Sequence, residues 1–309
     1  MNIGDVFNFL QGTFSGAIRS GTSVFYAALG EVIVQRAGIV NLGVEGCMLV
    51  GACAGFIVAS RTGNAYLGLL VAALAGGLFN LIFGWLVVTR RANQLASGLT
   101  LLFLAYGLTA ILGADYVGKR IDGLEVLPIP FLSSIPFLGP ILFTGDILWY
   151  SLVPSSLGVW WLLYRTRWGL ELRTVGESRT VAFAAGLNPR WIQYQALFIG
   201  GLFGGIGGAH LSLSYARVWI EQMTAGRGFI AVALVIFASW NPIRAILGAL
   251  IFGGSIAFQL QLQARNVPVS PFLMDMLPYL LTIAVLLIWG RKRQYQMPQG
   301  LSEVFEGTG

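Results

Sequence analysis

Three kinds of chemistry have candidate residues in this chain: nucleotide binding, ion coupling, and metal or thiol chemistry. The stretch Gly113 to Arg120, GADYVGKR, approaches the phosphate loop G-x-x-x-x-G-K-[ST]. Arg120 stands where a Ser or Thr would hold magnesium, and the stretch leaves an apolar run instead of joining a strand to a helix. ATP binding by the chain itself is therefore not expected. Glu31, Glu45 and Asp275 are the candidate coupling residues inside apolar runs. Such residues mark ion pathways in carriers, but three are sparse, so coupling to protons or sodium stays open and is not favoured. Cys47 and Cys53 lie six apart in one apolar run and do not share a helix face. They read as small apolar fillers, and His210 stands alone at the end of a glycine-rich run. No grouping of His, Cys and carboxylates supports an enzyme.

The elements that must position these residues are apolar runs. A bilayer-spanning helix needs about 20 mostly apolar residues. Runs of that kind lie at roughly 18–34, 39–59, 65–88, 95–114, 146–164, 192–215, 243–263 and 272–290. A shorter run, Phe229 to Trp240, reads as a half-helix stopping at Asn241-Pro242. The expected fold is all-α: a single polytopic membrane domain over residues 1–309, with eight or nine transmembrane helices, some broken. Composition agrees. Of 309 residues, 56% are hydrophobic and 10% charged, and the mean hydropathy is +0.75, whereas a soluble domain carries about 25% charged residues. The glycines of GGLFGGIGG, 200–208, form GxxxG pairs that let helix backbones approach closely. Close packing is the plain reading of them, and a moving seam the functional one.

The formal net charge of +6 could suggest nucleic acid in a soluble protein. Here the basic residues sit in short loops, where they set topology. One set of loops holds Arg36, Arg90, Arg91, Arg165, Arg167, Arg173, Arg179, Arg190, Arg244, Arg291, Lys292 and Arg293. The opposite set holds Arg61, Lys119, Arg120, Arg217, Arg227 and Arg265, with Arg19 unassigned. The richer set is expected on the cytoplasmic side, together with the C-terminus. The proline-rich loop from Asp115 to Asp146 is then an outer, folded cap.

The longest inner loop, Arg165 to Arg190, carries start and stop signals for an isolated helix. Thr174 and Glu177 fit a capping box, Ser178 to Ala185 a short helix, and Gly186 a left-handed stop. Asn188-Pro189 suits the cap and first turn of the next helix. Such a helix is an ordinary surface element or a docking element for a cytoplasmic partner. Ala182, Ala184 and Ala185 would allow close approach in a groove.

Three segments carry a resemblance: GIVNLGVEGCMLVGA (Gly38 to Ala52), GLELRTVGESRTVAFAAGLN (Gly169 to Asn188) and AGRGFIAVALVIFASWNPIRAILGALIFGG (Ala225 to Gly254). They resemble the permeases of the branched-chain amino acid and simple-sugar class of ABC importers. The NLGVEG form at Asn41 to Gly46 is similar to the nucleoside branch, while RRANQLASGL shows no placeable branch-specific residue. The resemblance implies a transport subunit, not an enzyme, in a bacterial cytoplasmic (inner) membrane. It implies ATP and magnesium on separate ATPase subunits, a second permease, and an extracytoplasmic solute-binding lipoprotein, with no nucleic acid. It places the ATPase-coupling segment at Glu177 to Gly186 and a broken-helix segment at Asn41 to Gly46, where Asn41, Gly43, Glu45 and Gly46 become candidates for the translocation pathway. Glu45 would there cap a helix end, bond a neighbouring helix, or meet solute. A sugar or a branched-chain amino acid remains an alternative to a nucleoside, and an ion-coupled secondary carrier a more distant one.

Overall fold

Lipid offers no hydrogen-bond partner to a backbone, so apolar runs of spanning length close their bonds internally as helices. The computed structural model describes residues 3–265 and 297–305, with scattered positions between 270 and 287. Among the described residues there are helices and two isolated β-bridges, with no strand. Among the described residues, five helices are long and apolar enough to cross a membrane. These are α2 (Val44–Thr62), α3 (Ala65–Gly84) continued by a π turn to Thr89, α4 (Gln94–Gly113), α10 (Pro189–Ala209) continued by a π segment to Tyr215, and α12 (Pro242–Ala264). The first helix, α1 (Ile3–Arg36), runs 34 residues, or about 51 Å at 1.5 Å per residue. It starts about four turns before the apolar run that announced it. Short helices α5 (Leu138–Leu142) and α6 (Ile147–Tyr150) precede α7 (Leu152–Arg165), α8 (Arg167–Glu177) and α9 (Arg179–Ala184). The half-helix α11 (Arg227–Phe237) has 11 residues, and α13 (Gln299–Phe305) is the last of the described helices. The run 272–290 and Asp275 lie outside the described residues, apart from a few positions in that run.

The helix bundle has two chemically distinct ends. At the basic end, Arg36 donates to the Tyr164 hydroxyl (3.0 Å) and to the Trp240 carbonyl (3.4 Å), joining the ends of α1 and α7 to the start of α12. At the opposite end, Arg265 donates to the Asp5 carbonyl (3.0 Å) and lies over the Phe9 ring. The start of α1 is therefore at the end opposite the basic one. The 117–146 segment is folded there: Leu124 N–H donates to the Leu213 carbonyl (2.8 Å), and bridges pair Val117 with Trp219 and Arg120 with Val218. Asp146 caps α6 by accepting from Trp149 N–H (2.9 Å) and also accepts from the Ser214 hydroxyl.

Glycines place α10 at the centre. Gly200 meets Gly30 and Val34 of α1, Gly201 and Gly205 meet Gly76 and Ala72 of α3, and Gly208 abuts the Met48 backbone of α2. Three helices thus close on one through positions that lack a Cβ, which is the dense packing that small residues permit in a membrane. Gly204 differs: an added Cβ there would meet Cys47 at an ordinary 3.4 Å. Gly208→Ala is therefore expected to lower yield and thermal stability in detergent, while Gly204→Ala behaves like the parent. Equal melting of the two variants would refute this packing account.

Candidate functional site

The loop at the basic end is built by successive caps. Thr166 accepts from Gly169 N–H (3.0 Å) and starts α8. Ser178 accepts from Val181 N–H (3.3 Å) and starts α9. Gly186, at φ +83°, ends it, with Gly186 N–H on the Phe183 carbonyl (3.0 Å) and Leu187 N–H on the Ala182 carbonyl (3.1 Å). Asn188 accepts from Trp191 N–H (3.2 Å), and Pro189 opens α10. The stop signals sit where the sequence places them, but the capping box does not form. Thr174 is inside α8, its hydroxyl donating to the Leu170 carbonyl (2.9 Å), and Glu177 is the last residue of that helix. The physical reason is burial: Leu172, Val175 and Gly176 face the core and carry α8 past Thr174. The Glu177 carboxyl instead accepts from Gln299 N–H (3.1 Å) at the start of α13. A cleft of about 750 Å³ opens beside it, lined among others by Arg91, Gln94, Glu177, Ser178, Thr180 and Ser302.

The surface of α9 carries more than the alanines expected to allow close approach in a groove. Ala182 is buried, whereas Ala184, Ala185 and Gly186 are exposed. The two bulky apolar side chains of this turn point outward, Val181 61% and Phe183 74% exposed. Sequence reasoning passed over both. The available signal was a phenylalanine inside an arginine-flanked loop.

The second group begins where α1 ends. Residues 37–43 are non-helical and mostly buried. The segment starts at the basic end, where Gly38 at φ +77° lies against Gly176, and runs inward. Val40 N–H donates to the Gln94 side-chain oxygen (2.8 Å). The Asn41 oxygen accepts from Gly43 N–H (2.9 Å), its amide donates to the Asn80 oxygen (2.8 Å), and the Asn80 amide donates to the Leu197 carbonyl (2.6 Å). One polar chain therefore ties α2, α3 and α10. Asn80 was legible as a lone amide in an apolar run. Gly46 packs inside α2 against α4, near Leu101 and Ala105.

Glu45 is wholly buried. One carboxyl oxygen accepts from Gly226 N–H (2.7 Å) and the other from Gly228 N–H (2.5 Å). These are backbone donors at the start of α11, which has no side-chain cap of its own. An acidic group at that place satisfies donors left free by the first turn and complements the helix dipole. Gly228 is required for the contact, since a Cβ there would press on the Glu45 backbone. Glu31 is likewise committed internally, accepting from Gln35 (3.3 Å), whose own oxygen accepts from the Trp240 indole (2.8 Å).

The family model described as "Branched-chain amino acid transport system / permease component" matches residues 13–286. The "Putative glucose ABC transporter permease protein TsgC13" of Haloferax volcanii is 38% identical over 301 residues, covering 90% of this chain and 92% of that protein. The guanosine ABC transporter permease protein NupQ of Bacillus subtilis is 33% identical, covering 84% and 86%. The nucleoside ABC transporter permease protein NupC of Lactococcus lactis is 31% identical, covering 92% and 94%. No solved structure matches the chain significantly.

Proposed function

The chain belongs to the branched-chain amino acid transport system permease component family, and from that premise we propose that it carries nucleosides inward across a bacterial cytoplasmic membrane. It is the permease subunit of an ABC importer, a transport component rather than an enzyme. Two of the relatives named above are nucleoside or guanosine permeases, and the NLGVEG segment supports the same solute class. The relative named for glucose favours a second reading, a simple sugar.

The observation that carries the coupling part is α9: a capped turn at the basic end that holds Phe183 and Val181 out of the core. Val181 and Phe183 lie together on one turn that belongs to none of the spanning helices, and an apolar pair so placed suits a protein partner. In this reading Val181, Phe183, Ala184 and Ala185 enter a groove on a separate ATPase, which binds and hydrolyses ATP with magnesium. Ala182 and Gly186 hold the turn's shape, Thr174 supports α8, and Glu177 fastens α13 beside it. Closure of two ATPases moves α9, and with it α8 and α10, so that the path opens alternately to either side. Asn41, Gly43, Glu45 and Gly46 serve the pathway as its frame, holding α2, α3, α10 and α11 in register. The basic end and the C-terminus are then cytoplasmic, within one membrane domain of eight or nine spans. A second permease completes the pore and an extracytoplasmic lipoprotein delivers solute.

The test is uptake by the complex reconstituted with its ATPase, second permease and binding lipoprotein, using radiolabelled guanosine, glucose and leucine. ATP-dependent guanosine uptake is expected. Preference for glucose would move the assignment to the sugar reading, and uptake driven by an ion gradient without ATPase would sink the importer.

A further inference from the structure

Three glycines from distant parts of the chain meet at the basic end. Gly38 follows α1, Gly176 lies in the last turn of α8, and Gly300 lies in α13. A Cβ on Gly176 would press on the Arg36 carbonyl. One on Gly300 would stand 2.8 Å from the Gly176 carbonyl oxygen and 3.6 Å from the Gly38 Cα. The seven residues of α13 therefore lie across two elements at once. One is the end of the helix that leads into α9. The other is the start of the non-helical segment 37–43, which leads to the Asn41 frame.

Side chains pin α13 in that place. Leu301 is wholly buried, in the apolar core that also holds Ala37 and Val40 of the segment and Leu172 and Val175 of α8. Met297 packs against the same core, and Pro298 is buried. The Glu177 carboxyl accepts from Gln299 N–H (3.1 Å). A helix this short does not hold by itself in water, so α13 depends on Leu301 and Glu177. The dependence also runs the other way. Gly38 and Gly176 offer no side chains to lock their own contact, and Leu301, seated across it, does. From Gly38 the segment is gripped at each step. The Ala37 carbonyl accepts from the Gln193 amide of α10 (3.1 Å), Val40 is held by Gln94, Asn41 by Asn80, and Glu45 holds the start of α11.

We propose that Gly300 and Leu301 are positioning residues for energy coupling: α13 clamps α8 to the Gly38 segment, so that a displacement of α9 by an ATPase reaches the Asn41–Glu45 frame. Without the clamp, the displacement is lost as sliding between two glycine backbones. The proposal rests on the importer reading above and holds for whichever solute is carried. The path through α8 is the more direct of the two that leave α9. Ser178 alone separates α8 from α9, whereas residues 185–188 separate α9 from α10, with Gly186 left-handed among them. The clamp stands where the path through α8 meets the frame.

The experiment uses Leu301→Ala, which unseats α13, Gly300→Leu, which drives it off the Gly176 carbonyl, and Leu301→Met as the conservative variant. Each is assembled with the ATPase, the second permease and the binding lipoprotein in proteoliposomes. The readout is ATP hydrolysed per solute taken up, with whichever of guanosine, glucose and leucine the parent carries. Leu301→Ala and Gly300→Leu should keep the ATPase bound and hydrolysing while uptake falls, so that the ratio rises several-fold. Leu301→Met should restore the parent ratio. A parent ratio in both disruptive variants would overturn the proposal and leave α10 to carry the motion, even if their melting temperatures fall. Loss of the ATPase from the complex would also overturn it, because α13 would then belong to the docking surface. Should Leu301→Ala fail to assemble, Gly300→Leu gives the same readout. ATP-dependent uptake by the parent is measured in parallel, and its absence would fail the importer reading itself, a result distinct from a coupled parent with coupled variants.

Discussion

Phe183→Ser is expected to strip the ATPase from the purified complex while the permease inserts and folds as before. Phe183 is 74% exposed, so its removal takes little from this chain's own packing. In a groove the ring would be a central anchor, and truncating such an anchor costs about 2 kcal/mol or more, roughly a 30-fold loss of affinity. Val181→Ser, at 61% exposure, should act in the same direction. Ala185→Trp should also abolish uptake, because Ala185 is exposed and its bulk falls on the partner rather than on the core. Gly186→Val should do so differently, by straining a backbone held at φ +83°. The measurement is co-purification of the ATPase together with uptake in proteoliposomes. Normal association and uptake in Phe183→Ser would remove α9 as the coupling element.

The second large effect is expected at Glu45, by a contrasting route. Both carboxyl oxygens are used, on Gly226 and Gly228 N–H, 181 and 183 residues away in sequence. Glu45→Ala leaves two buried donors without partners, each costing about 1–3 kcal/mol. The start of α11 should then detach from α2, with uptake lost and thermal stability in detergent clearly lowered. Glu45→Gln keeps one acceptor oxygen and turns an NH2 toward the other donor, so an intermediate loss of both is expected. This ordering, parent above Gln above Ala in both readouts, separates an anchoring group from a charge used only during transport. A Gln variant of full stability but no uptake would show that the charge itself acts on the solute path. Unchanged uptake in both variants would remove Glu45 from the machinery.

Five of the eight expected spans, the half-helix α11 and the stops around Gly186 to Pro189 were legible in the sequence because each is a local property, whereas the run 146–164 divides into α6 and α7. Hydropathy over about 20 residues answers to bilayer thickness, and a cap or left-handed glycine answers to its own turn. The same locality misled at Thr174 and Glu177. A capping-box spacing is present, but burial of Val175 and Gly176 extends α8 through it, and Ser178 caps instead. The start of α1 was missed for a related reason: its first turns carry Asp5, Asn8 and Gln11, which lower hydropathy without breaking a helix. What the sequence determined by itself was therefore the all-helical membrane class, the order of the apolar runs, and a small isolated helix among arginines. Tertiary structure alone decided which donors Glu45 would cap, and that Phe183 and Val181 would face outward with Ala184 and Ala185 while Ala182 is buried. Those outcomes depend on residues far apart in the chain meeting through close helix contacts at glycine, and no local pattern of residues encodes such a meeting.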